Sequence, residues 1–391
     1  MPSFFIFLGM GLVSPILPIY AKSFNVSYTL VSFAISAYAL GRFVADLPVG
    51  VACDRYGSRW LMIGGTLIMA ITAFLNATTD SFLLFMVYRF IQGVGSSMWM
   101  TARTAILADI LKPEERGRIM GYFQSFTLIG SAAGPTIGGF IVSWWDIKAP
   151  FYFYSFTGVI SLILTAIFVK QPENVVHSGK HQELNLTYAR KLLSNRAFSM
   201  ACLATFTAFF LMTGIRGNML SLYADGELGL TPIEIGTIMS YATIMNLILT
   251  IPIGYSVDWF GRKPVIIIGI TIAAIASCLF PLTTDYISLS VIAVILGIGT
   301  TGAQQAPLAM ATDATAGEPR GLSMGVYRFF GDIGFVLGPI ILGAIADVAG
   351  LRLPFWVMGA ILFVNVLLVA VFAQETYSRR ANQNNKSALK S

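Results

Sequence analysis

Two pairs of opposite charges interrupt otherwise apolar stretches of this 391-residue chain, Arg42 with Asp46 and Arg328 with Asp332. Each pair has i, i+4 spacing, which puts both side chains on one helix face. Arg89, with Gln92 one turn on, and Arg216, with Asn218 beside it, stand in similar surroundings. Ionisable groups in an apolar medium are costly, so they are functional candidates. The chemistry open to them is acid–base. A desolvated carboxylate whose arginine moves away has its pKa raised and takes up a proton. The alternative is structural, each pair neutralising itself along its own helix.

Other chemistry finds less support. His177 and His181 share a polar stretch, where a solvated loop is preferred over a metal site, and no metal is expected. Cys53, Cys202 and Cys278 are far apart and form neither a disulfide framework nor a ligand cluster. No nucleophile–base set, paired carboxylates or phosphate-cradling loop stands out, which argues against an enzyme and against direct use of ATP. The net charge of +6 is dispersed among loops rather than gathered on one face, so no nucleic-acid partner is expected.

The elements that must position these residues follow from composition. The chain is 56% hydrophobic and 11% charged, against about 25% charged in an ordinary soluble domain. Lipid is therefore the expected solvent for most of it. Apolar runs predict twelve helical spans of about 20 residues each: 3–20, 30–52, 60–78, 82–107, 119–142, 150–169, 198–223, 232–256, 264–282, 286–311, 321–345 and 353–373. The apolar start reads as the first span rather than as a removable signal. The longest polar interruption, Gln171 to Arg196, divides the chain near its middle. The expected organisation is an N-terminal bundle over 1–170, a cytoplasmic loop over 171–196, a C-terminal bundle over 197–375 and a cytoplasmic tail over 376–391. With both termini in the cytoplasm, seventeen of the 25 Lys and Arg residues fall on that side, three fall outside, and five lie within spans. This positive-inside bias sets the expected orientation in a cytoplasmic membrane.

The chain also repeats itself. Asp54 and Asp258 are 204 residues apart, and the same offset aligns Gly50 with Gly254, Gly57 with Gly261, Arg116 with Arg320, and Gly134-Pro135 with Gly338-Pro339. One register running through spans two to five onto spans eight to eleven implies a duplication. With six spans in each half, the repeats are parallel, and a ligand site is expected between them. The halves differ where Arg89 aligns with Ala293, Gln124 with Arg328 and Leu128 with Asp332.

These features resemble the major facilitator superfamily over essentially the whole chain. Gly50-x3-Asp54-Arg55-x-Gly57-x-Arg59 is similar to its loop 2–3 signature, and Gly254-x3-Asp258-x2-Gly261-Arg262-Lys263 is a weaker copy. Arg89-x2-Gln92-Gly93-x-Gly95 is similar to its membrane-arginine motif. Gly130-x3-Gly134-Pro135-x2-Gly138-Gly139 is similar to the motif of its drug:proton antiporters. Span one departs from that pattern by lacking an acidic residue.

The resemblance implies an all-α membrane protein with two pseudo-symmetric six-helix bundles and transport by alternating access. Proton-coupled efflux of small amphipathic compounds is the leading expectation, with no cofactor, the proton gradient as driving force, and action as a monomer. A metabolite importer and a non-transporting sensor on the same fold are the alternatives. Asp54, with Gly50, Arg55, Gly57, Arg59, Asp258, Gly261 and Arg262, is expected to latch the cytoplasmic side against span eleven. Asp46 and Arg328 both lie roughly 10 to 12 Å from the cytoplasmic helix ends. A bridge between them is expected in one conformation, extended by Arg42 and Asp332. Gln92, Arg216, Asn218, Gln304 and Gln305 are expected to line the cavity, with only one of the adjacent glutamines pointing inward. Gly130, Gly134, Pro135, Gly138, Gly338 and Pro339 are expected to pack helices at the interface between halves.

Overall fold

The computed structural model describes residues 2–110, 113–169, 186–316 and 320–376, and among them there are helices and no strands. The helices are α1 (Pro2–Val13), α2 (Leu17–Lys22), α3 (Tyr28–Tyr56), α4 (Ser58–Thr78), α5 (Phe82–Ile110), α6 (Pro113–Trp144), α7 (Ala149–Phe168), α8 (Leu186–Ser194), α9 (Arg196–Leu211), α10 (Leu220–Gly226), α11 (Pro232–Phe260), α12 (Arg262–Leu279), α13 (Tyr286–Ala314), α14 (Arg320–Ala349) and α15 (Leu353–Phe372). Ten stretches among the described residues are long and apolar enough to cross a membrane. The other two expected spans fall short of that measure. The first is broken between Val13 and Leu17, where Pro15 can donate no helical hydrogen bond. The fourth, α5, has 29 residues, but Arg89 and Gln92 dilute its apolar character. Most of the expected central loop lies outside the described residues; its end is α8.

Local chemistry sets the helix boundaries. The Ser27 side chain accepts from the Leu30 amide at the start of α3, and Thr231 and Glu234 form a reciprocal cap at the start of α11. The Ser288 and Ile287 amides hold the Asp285 carboxyl below the usual carboxylate range at the head of α13. Gly57 (φ 87°) and Gly261 (φ 99°) occupy equivalent places between α3 and α4 and between α11 and α12. That backbone region is strained for any residue with a Cβ, which explains why both copies of the loop signature keep glycine there. Between α9 and α10, Met212–Met219 winds as a π-helix.

Helices α1 to α7 pack into one bundle and α9 to α15 into another, and the two meet mainly along α3 with α14 and α6 with α11. The core of each bundle is apolar, yet many large apolar side chains face outward, including Leu83, Ile163, Phe168, Ile248 and Leu367. Such a surface suits lipid rather than water. Exposed aromatic residues collect at helix ends, with Tyr56, Trp60, Tyr255 and Trp259 on the side of Gly57, and Trp144 and Trp145 on the other. Amphipathic rings favour this depth, at the two membrane–water interfaces.

The glycine motifs divide their work in a way that corrects the sequence expectation. A Cβ on Gly134 would sit 2.5 Å from Gly11 Cα, one on Gly130 3.1 Å from the Phe4 carbonyl oxygen, and one on Gly138 2.8 Å from the Leu12 carbonyl carbon. These three pack α6 against α1 inside one bundle. Likewise a Cβ on Gly338 would sit 2.6 Å from the Phe210 carbonyl oxygen of α9. The contacts between bundles include Pro135, as expected, and otherwise fall on other positions. A Cβ on Gly139 would sit 2.8 Å from Ile233 Cα of α11, one on Gly236 would meet the Pro135 carbonyl group, and one on Gly343 would sit 2.8 Å from the Tyr28 carbonyl oxygen of α3. Adjacent residues point about 100° apart on a helix, so Gly138 and Gly139 serve different neighbours.

Leucine at each position separates the two roles. Gly139→Leu forces α6 from α11, and labelling of a reporter cysteine near Asp347, in a chain freed of its three cysteines, should rise about fivefold for each 1 kcal/mol of bias. Gly138→Leu strains a single bundle, so the thermal midpoint should fall with a cost of about 1–3 kcal/mol while labelling stays unchanged. Equal labelling of the two variants would contradict the assignment.

Candidate functional site: a cavity between the bundles

One side of the molecule is clasped shut. The Asp347 carboxylate, near the end of α14, accepts from the Tyr28 amide at 2.7 Å and the Thr29 amide at 2.8 Å at the start of α3. The helix thereby gains an anion where its free amides and positive dipole end favour one. The Thr29 hydroxyl donates to the same carboxylate. Deeper on this side, Asn218 Nδ2 donates to Ser32 Oγ at 2.6 Å, Ser36 Oγ donates to the Val336 carbonyl at 2.7 Å, and Thr136 Oγ1 donates to Ser240 Oγ at 2.8 Å. All of these bonds join the two bundles.

Toward the Gly57 side the bundles part. Phe43 and Phe329 still touch, with ring centroids 5.6 Å apart. Gly50, two turns beyond Phe43 on the same face, and Gly325, one turn before Phe329, have no atom within 4 Å of a Cβ position.

Between these levels lies the charge pair. Arg42 Nη2 donates to Asp332 Oδ1 at 2.7 Å across the bundle interface, each side chain about one-fifth exposed. The Arg42 guanidinium also lies 5.2 Å from the Phe335 ring centre. Asp46 takes a hydrogen bond from Ser97 Oγ of α5, and Arg328 is exposed. No ion pair among the described residues joins Asp46 to Arg328, so the bridge in this conformation is the Arg42–Asp332 one rather than the expected Asp46–Arg328 one. The physical reason is partner choice: Arg42 engages Asp332 and Ser97 engages Asp46, which leaves Arg328 exposed.

Above the pair is a cavity of about 580 Å³ lined by both bundles. Arg89 reaches it from α5 and Arg216 from the π-helix. That wider turn, with Gly214 and Gly217 beside the arginine, is a feature frequently found at functional sites. Arg89 is 8% exposed. Its Nη1 donates to Gln92 Oε1 at 2.6 Å, and its guanidinium stacks 4.8 Å from the Tyr38 ring centre. Arg216 donates to Thr243 Oγ1, and the Asn246 amide, assigned in the orientation that satisfies all its neighbours, presents its oxygen to Arg216 Nη1 at 3.2 Å. Gln304 and Gln305 both line the cavity. The expectation that only one would do so fails because the cavity spans a wide arc of α13. Gln92 and Asn218 are not lining residues. Gln92 orients Arg89, and Asn218 belongs to the clasp.

The loop-signature residues act mainly within their own bundles. Arg59 Nη2 donates to the Ala166 carbonyl at 2.8 Å, and Arg55 lies against the Tyr56 ring. Arg262 pairs with Asp258 at 3.3 Å and with Asp313 at 2.8 Å. The Glu375 carboxylate caps α12 through the Arg262 and Lys263 amides at 3.1 and 3.0 Å. The Asp54 side chain and that of Arg320, where its partner helix begins, lie outside the described residues, and so does the expected cross-bundle latch.

Sequence reasoning missed Tyr38, Tyr154, Thr243 and Asn246 in the cavity wall, Ser97 beside Asp46, and Asp347 in the clasp. Neutral polar residues in apolar helices carry no charge to flag them. Asp347 stands at the end of a span, where an exposed acid is unremarkable.

Two helical bundles enclosing a largely apolar cavity with a few polar groups, shut at one end and parted at the other, have the arrangement of a multi-pass membrane transporter. The sequence profile of the Major Facilitator Superfamily matches residues 3–224 and 201–391, and the chain belongs to that family. It is 26% identical over 348 residues to an uncharacterized MFS-type transporter of Methanocaldococcus jannaschii, covering 88% of this chain and 89% of that one. It is 25% identical over 375 residues to the quinolone resistance protein NorA of Staphylococcus aureus, covering 95% and 94%. The crystal structure of a D-xylose–proton symporter superposes with a TM-score of 0.75 at 17% identity, covering 96% of this chain and 97% of that one.

Removing the Asp347 carboxylate should loosen the closed side. Asp347→Ala, probed by spin-label distances between residues 25 and 350, is expected to enrich the separated population by about fivefold, as for a hydrogen-bond loss near 1 kcal/mol. Asp347→Asn, which keeps one acceptor, should lie between it and the parent. Unaltered distances in Asp347→Ala would remove the clasp from the account.

Proposed function

We propose that this transporter exports small amphipathic compounds across a cytoplasmic membrane, coupled to proton entry, by alternating access. Both termini then lie in the cytoplasm, and the structure corresponds to the inward-facing state, clasped outside and parted on the Gly57 side. The observation that carries this reading is the Arg42–Asp332 pair spanning the bundle interface, with Asp46 one turn away on α3. A pair that bridges two moving bodies must break or form when they rock. Protonation of a carboxylate at that place biases which state is stable, because a neutral acid no longer holds a desolvated guanidinium. The similarity to the quinolone resistance protein NorA supports the choice of amphipathic compounds as cargo. The mixed lining, with Phe7, Met10 and Phe335 beside a few polar groups, supports it too, since apolar pockets with sparse polar anchors suit such ligands.

The test is flux in vesicles against an imposed pH gradient. The parent should accumulate an amphiphile against its gradient, whereas Asp46→Asn and Asp332→Asn should bind the compound and lose gradient-driven accumulation. Reversing the pair as Arg42→Asp with Asp332→Arg should recover part of the flux that each single change abolishes. Gradient-driven transport that survives both asparagine substitutions would sink proton coupling through these carboxylates. Accumulation in the opposite direction would favour uptake of a metabolite.

A further inference from the structure

The cavity has an unbalanced charge. Arg89 and Arg216 reach it from opposite bundles, and no Asp or Glu is among its lining residues. The nearby acids are engaged elsewhere, Asp332 by Arg42 and Asp46 by Ser97. The hydrogen-bond partners of the two arginines are neutral: Gln92 for Arg89, Thr243 and Asn246 for Arg216. A guanidinium stays charged at any physiological pH and has five donors and no acceptor.

Around Arg89 the surplus is one of donors. Its Nε is buried without an acceptor, and so is Gln92 Nε2. The Tyr154 hydroxyl, which also lines the cavity, has no partner either. Packing does not demand an arginine there, because the position aligned with it in the second repeat is the fully buried Ala293. Burying an unpaired guanidinium is expensive, and an arriving acceptor with negative charge relieves that cost. A cation entering the same space meets two like charges and no counter-ion.

We propose that the cavity selects an organic anion, a carboxylate head drawn to the guanidinium groups that Arg89 and Arg216 bring to the cavity wall, with its apolar body against Phe7, Met10, Leu17, Met212, Met239 and Phe335. The planar fork of a guanidinium matches a carboxylate bidentately, and 580 Å³ accommodates a drug-sized molecule. This rests on the export reading for its context and sharpens the cargo from amphipathic compounds in general to amphipathic anions.

The test compares 4-phenylbutyrate, 4-phenylbutyramide and 4-phenylbutylamine, which share an apolar body and differ in head charge. Binding to the full chain in detergent is measured by isothermal titration, and flux is measured separately in vesicles. The carboxylate should bind at least about tenfold tighter than the amide, as charge-assisted hydrogen bonds require, and the amine more weakly than either. Arg89→Gln and Arg216→Gln should each lower carboxylate affinity by more than amide affinity, so that the preference for carboxylate over amide falls, and Arg89→Lys and Arg216→Lys should restore part of it. Amine binding equal to or tighter than carboxylate binding in the parent overturns the proposal, whether or not the glutamine variants fold. So does a carboxylate preference that persists undiminished in both glutamine variants. Carboxylate binding without flux of any of the three compounds would count against transport and leave the anion site standing. Flux of the amine without carboxylate binding would do the reverse.

Discussion

In lipid, helices gain nothing by hiding apolar side chains from a solvent that is itself apolar, so they are held by close approach and polar contacts. Everything else in this molecule depends on that constraint. Within each bundle, α6 reaches α1 and α14 reaches α9 through backbones brought together at Gly134 and Gly338. Between bundles the same device appears five residues further along α6, at Gly139, and near the far end of α14, at Gly343. Permanent and breakable contacts therefore share a helix and are told apart only by which face carries them.

The breakable side is joined by few groups. The Asp347 carboxylate with two backbone amides, the Asn218–Ser32 bond and the Thr136–Ser240 bond cross the seam. Each exchanges a protein partner for water at modest net cost, which suits a surface that must open and reclose. The Arg42–Asp332 pair differs in kind. It lies at the level where the bundles begin to part, less accessible to water than the clasp, so its charges are screened less. An ion pair there forms or breaks with the geometry of the interface.

Much of the fold was legible in the sequence because its signals are local or repeated. Apolar runs set the spans, the polar stretch after Gln171 marked the middle, and the offset of 204 announced two related bundles. The break after Val13 follows from Pro15, yet a hydropathy reading passes over it because the flanking residues remain apolar. The π-helix at Met212–Met219 has no comparable signature. The site was legible in its charges and illegible in its pairings. Arg42 and Asp332 are 290 residues apart and Asn218 and Ser32 are 186 apart, and spacing along a helix says nothing about such partners. The i, i+4 arrangement favoured Arg42 with Asp46, whereas Asp46 found a serine on the neighbouring α5. The glycine motif named the right helix but not which neighbour each residue meets, since Gly130, Gly134 and Gly138 face α1 while Pro135 and Gly139 face α11.

The surplus of guanidinium groups in the cavity also has an electrical consequence. A voltage across a bilayer acts on any charge that changes its place within the field, at about 2.3 kcal/mol per elementary charge for a full crossing at 100 mV. When access to the cavity passes from one side to the other, water carries the potential of its own side up to Arg89 and Arg216. The field is redistributed around them although the residues barely move in the protein. An empty cavity makes that exchange as a divalent cation, and one holding a single anionic charge makes it as a monovalent one. The Arg42–Asp332 pair is neutral while Asp332 is ionised and carries one positive charge once Asp332 is protonated. On the proposed cycle, the half that carries no anion and a protonated carboxylate therefore moves the larger charge, and the membrane potential acts mainly on that half.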